Sequence, residues 1–110
     1  MTLTFDTDQA RREAEVLLES LARSPQDQMD GKVREVEKFL ATLYAVGAYA
    51  GFNEPSRVKT AELWQQMLAI CDACARLVQE LTRQYPGVIV SFNGILDHRN
   101  ACREMSDLHR

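Results

Sequence analysis

The sequence predicts an all-α protein, three to four long antiparallel helices in a small bundle, forming a single helical domain over residues 1–110. Two observations predict it. Ala, Leu, Glu, Gln and Arg, the strong helix formers, are abundant, while three prolines and five glycines are too few for an all-β chain that turns every ten residues or so. Apolar residues also recur at three- and four-residue spacing through most of the chain, the period of one helix face. The length of 110 residues fits one core, and 45% hydrophobic with 26% charged residues is the composition of a globular domain.

The first helix is predicted from Asp6 to Arg23, with Ala10, Ala14, Leu17, Leu18 and Leu21 on its apolar face. Asp6, Thr7 and Asp8 can cap its first turn, and Ser24-Pro25 ends it because the residue before proline is pushed out of the α region. A loop from Pro25 to Gly31 follows, and the second helix starts near Asp27 or Asp30. Val33, Val36, Leu40, Leu43 and Gly47 make its stripe, with Glu35, Glu37 and Lys38 expected to face water. From Leu43 to Phe52 the chain reads LYAVGAYAGF without a charge, so this end is expected to be buried on all sides. Its small residues Gly47, Ala48, Ala50 and Gly51 would let a neighbouring backbone approach closely.

After a turn over residues 51–55, Ser56 or Thr60 can cap a third helix that runs to about Gln84, stopped by Pro86-Gly87. Its roughly 28 residues would span about 40 Å. Leu63, Trp64, Met67, Leu68, Ile70, Cys71, Cys74, Ala75, Leu77, Val78 and Leu81 fill an arc of about 180°, wider than the roughly 100° stripe that one neighbour covers. The surplus is expected to meet another helix or another chain. Met67, Cys74 and Val78 lie at the centre of the arc, Leu63, Ile70 and Leu77 toward one edge, Trp64 and Leu68 toward the other.

The last segment is open to two readings. Val88 to Phe92 is β-branched and aromatic, and Asn93-Gly94 is a strong turn signal, so a short extended segment or hairpin near 88–96 is one. Val88, Phe92, Ile95 and Cys102 also fit helical spacing, and a fourth helix starting between Ser91 and Ile95 and running to about Leu108 is the other.

Charge and motifs narrow the function. Thirteen Lys and Arg against sixteen Asp and Glu give a net charge of -3, with no basic run to follow a phosphate backbone, so direct nucleic-acid binding is not expected. MTLTFDTDQ lacks a basic n-region and an apolar h-region, and no uncharged stretch is long enough for a bilayer, so a soluble cytoplasmic protein with reduced thiols and no membrane contact is expected. Cys71-Asp-Ala-Cys74 has redox and zinc spacing, but mid-helix within the apolar arc the thiols read as core packing. Zinc would need further ligands from Cys102, His98 and His109, and no metal or cofactor is expected. Glu13, Glu19, Glu35 and Glu37 read as solvated charges, with Glu19–Arg23 and Glu35–Lys38 as surface pairs. Phosphate-loop, paired-histidine and nucleophile-elbow motifs are absent from the sequence, so catalysis is not the leading expectation.

Two resemblances remain. Arg103-Glu-Met-Ser-Asp-Leu-His109 is similar to the short motif of HEPN-type ribonucleases, helical domains that bring such pairs together across a dimer. In size, acidity and arrangement of a few long helices the whole chain resembles the bacterial quorum-sensing antiactivators of the TraM and QslA kind, which bind LuxR-type receptors and keep them off DNA. The latter implies a non-enzymatic protein that sequesters a LuxR-type transcription factor, and the half-circle of apolar surface on the third helix points to a homodimer. A secretion or flagellar chaperone holding a client helix is the nearest alternative, and an HEPN-like ribonuclease that depends on Arg103 and His109 is the alternative of another class. The partner-binding residues expected on this reading are Leu63, Trp64, Leu68, Ile70 and Leu77 on the third helix, with Tyr49 and Phe52 at the end of the second.

Overall fold

The computed structural model describes residues 6–109, so Arg110 and the first five residues, part of the MTLTFDTDQ segment read above for a targeting signal, lie outside it. Four helices follow one another: α1 Thr7–Ala22, α2 Met29–Phe52, α3 Arg57–Gln84 and α4 Phe92–Leu108, with a 3-10 turn at Gln26–Gln28. Capping sets their starts. Asp6 accepts from the backbone N–H groups of Asp8 and Gln9 at 3.0 and 3.1 Å, and Ser56 accepts from Lys59 N–H at 3.3 Å.

The buried positions of α2 are Met29, Val33, Val36, Leu40, Leu43 and Gly47, an alternation of four- and three-residue steps. On α3 the sequence Thr60, Trp64, Met67, Cys71, Cys74, Val78 and Leu81 repeats it. Such spacing keeps one seam of each helix on its neighbour over several turns, as in left-handed bundles. Each of α1 and α4 packs against both α2 and α3, and not against the other. Residues α3 carries beside its seam, Ile70 and Ala75, are buried as well. The wide apolar arc of α3 is thereby covered by three helices of its own chain. Leu63, Leu68 and Leu77 at its edges remain half-buried.

The end of α2 departs from expectation in the opposite direction. It is not buried on all sides: Val46, Tyr49 and Phe52 are exposed, Phe52 at 90%. Gly47 faces inward, and at 100° per residue Tyr49 and Phe52 fall on the far side of the cylinder.

The hairpin near 88–96 is replaced by a short connection, residues 89–91, and by α4, with no strand among the described residues. Gly94 lies in the first turn of α4, and a Cβ there would meet the mobile carboxylate end of Glu37, so the glycine marks where α4 approaches α2. Glu37 is accordingly half-buried and does not simply face water. The connection is fastened to the start of α2 by Asp30, which accepts from Val90 N–H at 2.9 Å, Ser91 N–H at 3.1 Å and Ser91 Oγ at 3.3 Å. Burial pushes the Asp30 carboxyl up, but these three donors and the Arg34 guanidinium outweigh it and hold the carboxyl below its ordinary value.

Candidate functional site

The residues expected to meet a partner divide sharply. Trp64 is 1% exposed and Ile70 is 5% exposed, so both belong to the core of the chain itself and not to an accessible surface. Trp64 fills the α2–α3 seam, where its ring lies 5.5 Å from that of Tyr44 at an interplanar angle of 55°. Leu63, Leu68 and Leu77 are half-buried and pack against the core. Only Tyr49 and Phe52 stand free, and the structure adds neighbours that periodicity did not single out.

Those neighbours come from the antiparallel order of the helices, which brings the end of α2, the start of α3 and the end of α4 to one end of the bundle. Gly51, Val58 and Leu108 from these three elements line one groove of about 630 Å³. Val58 and Leu108 are as open as Tyr49. Glu54, Arg57, Glu62 and His109 add polar and charged groups to the groove. The result is an apolar surface beside charged side chains. A second groove, about 390 Å³, runs between α1 and α3 over Ala14, Leu18, Ala69, Ile70 and Ala73, with Asp8, Arg11 and Glu15 also lining it.

The cysteines are arranged differently from their spacing. Cys71 Sγ lies 3.6 Å from Cys102 Sγ across the α3–α4 interface, and all three thiols are buried. The hydrogen bond between Cys71 and Cys102, together with burial, pushes the Cys71 thiol far up, and the same bond lowers Cys102. Cys74 is pushed up to about 11 by burial. Among the described residues no group of three or more His, Cys, Asp or Glu side chains is placed to hold a metal ion.

Arg103 and His109 have separate neighbours. Arg103 Nη2 lies 3.9 Å from Asp72 Oδ1 on α3, which also sits 4.0 Å from Arg99 Nε, whereas His109 closes α4 and lines the groove with Glu54 and Val58. Of the surface carboxylates, Glu35 pairs with Lys32 at 3.6 Å and Glu13 accepts from Gln9 at 3.3 Å. Exposed pairs of this kind contribute little to stability.

Compared with protein-family models, with curated proteins and with solved structures, the chain matches none. Among the described residues no helix is long and apolar enough to cross a membrane.

Proposed function

We propose that the protein is a non-enzymatic regulator that binds another protein, in the manner of an antiactivator that sequesters a LuxR-type transcription factor and prevents its DNA binding. The observation that carries the protein-binding part is the exposure of Val46, Tyr49 and Phe52 on an uncharged ten-residue stretch, with exposed Val58 and Leu108 at the same end of the bundle. Aromatic side chains held on a rigid helix lose little conformational freedom on contact and are frequent anchors of interfaces. The transcription-factor partner rests on the resemblance in size, acidity and helical layout. A cytoplasmic location and a homodimeric state belong to the same reading. Exposed Val16 on α1, in a shallow surface with Arg12 and Glu13, offers a small patch of both charge signs that a second copy could meet without like-charge repulsion.

The test is a mobility-shift titration of a LuxR-type factor on its operator. Added protein is expected to release the factor from DNA, and the Tyr49→Asp/Phe52→Asp variant is expected to leave it bound. Release that is equal for both proteins would overturn the assignment of the surface, and no release by either would overturn the antiactivator reading. The chaperone alternative draws on a different feature, the apolar floor of the groove between α1 and α3, whose small Ala69 and Ala73 suit the approach of a client helix. Co-purification of a client that survives the Tyr49→Asp/Phe52→Asp change and is lost on Ala69→Glu would favour it.

A further inference from the structure

We propose that Cys71 and Cys102 are a peroxide-oxidisable pair, forming a reversible disulfide that staples α3 to α4 while Cys74 stays a free thiol. The sequence motif points to the wrong partner, because Cys71 and Cys74 share one helix, whereas Cys71 and Cys102 face each other from two helices with their sulfurs 3.6 Å apart. A disulfide needs about 2.05 Å between sulfurs, so each must move by less than about 1 Å, within the reach of small side-chain rotations.

The electrons and protons balance with hydrogen peroxide as oxidant. Either sulfur of the pair can donate to the other, and Cys102, which the contact with Cys71 holds below the ordinary thiol value, is the sulfur better able to react as thiolate. It attacks one peroxide oxygen, the O–O bond breaks, and the departing hydroxide leaves as water after taking a proton, giving Cys102 sulfenic acid. Cys71 Sγ then attacks Cys102 Sγ, the S–O bond breaks, and the hydroxide released takes the Cys71 proton to leave as a second water. The two sulfurs together lose two electrons and the peroxide oxygens gain them.

Both sulfurs are buried, so peroxide reaches them only when α4 opens locally, and the rate of bridging should track that opening. Once formed, the bond closes a loop through the α3–α4 connection and constrains the unfolded chain. Cys74 is equally buried on the same helix, with burial as the sole cause of its shift, and serves as the internal control.

The experiment treats the purified, reduced protein with hydrogen peroxide at low urea concentrations and follows intact mass and non-reducing peptide maps. The expected result is a loss of about 2 Da, a Cys71–Cys102 cross-linked peptide, a melting temperature raised by at least about 5 °C, and full reversal by dithiothreitol. Cys74→Ser should behave as wild type and Cys102→Ser should not bridge. A Cys71–Cys74 cross-link, overoxidation to sulfinic acid without a bridge, or unchanged thiols at urea concentrations where α4 amides exchange would each overturn the proposal. The wild-type peptide map decides the matter even if a variant fails to fold.

Discussion

Met67 on α3 occupies the space that a side chain on Gly47 of α2 would need: a Cβ built on Gly47 collides with the Met67 sulfur and methyl group. The two helices touch backbone to side chain at this point, and Met67 is fully buried, so its flexible end can give way only by moving within the packed core.

Gly47→Ala is therefore expected to destabilise the protein by about 1–3 kcal/mol, although the same change in a helix interior ordinarily stabilises by about 1 kcal/mol. Gly31→Ala is the control, since nothing lies within 4 Å of a Cβ there, and it should be neutral or stabilising by about 0.5 kcal/mol. Urea melts of the two variants check the difference in sign.

Asp30 should make stability depend on pH. Its folded-state carboxyl titrates below the ordinary 3.8, so its contribution is fully present above that value and is lost as the pH falls through the lowered one. Asp30→Asn is expected to cost about 1–2 kcal/mol at pH 7, and the gap to wild type should close as the pH drops below about 4. A gap that is constant from pH 7 to pH 2 would remove the carboxylate from the explanation.

Trp64→Ala and Ile70→Asp should act on folding. Removing the indole from the α2–α3 seam is expected to cost about 3–5 kcal/mol, and an unpaired carboxylate at Ile70 should abolish cooperative melting. Circular dichroism melts check both. Leu63→Asp, Leu68→Asp and Leu77→Asp, at half-buried positions, are expected to fall between these and a surface change.

Much of the architecture is legible in the sequence because it is fixed locally. Asp6 and Ser56 cap their helices through donors three residues on or fewer, and the proline of Ser24-Pro25 ends α1 within a residue or two of its predicted limit. The inward seams of α2 and α3 follow from apolar spacing alone. Part of what the sequence does not show turns on contacts between distant segments. Asn93-Gly94 carries a turn signal that competes with the helical spacing of Phe92, Ile95 and Cys102, and the structure follows the helix; Asp30 does stand at the start of α2, and only its hold on Val90 and Ser91 escapes the sequence. The stretch from Leu43 to Phe52 shows the limit of composition. Continuing the Met29-to-Gly47 seam would have put Tyr49 and Phe52 outward, but the absence of charge suggested burial on every side. Trp64 erred the other way: a lone tryptophan at the edge of an apolar arc suits an interface anchor or a core, and its position against Tyr44 decides for the core.

The exposed end of α2 as the protein-binding surface is tested most directly by affinity capture from the source cells, quantified by mass spectrometry, with wild type beside Tyr49→Asp/Phe52→Asp. Matched helix content and melting temperature are required of the pair. Wild type should retain one protein in stoichiometric amount, and the variant should lose it with an affinity weaker by at least about 2 kcal/mol, roughly 30-fold. Equal capture of that protein by a folded variant would contradict the assignment of the surface.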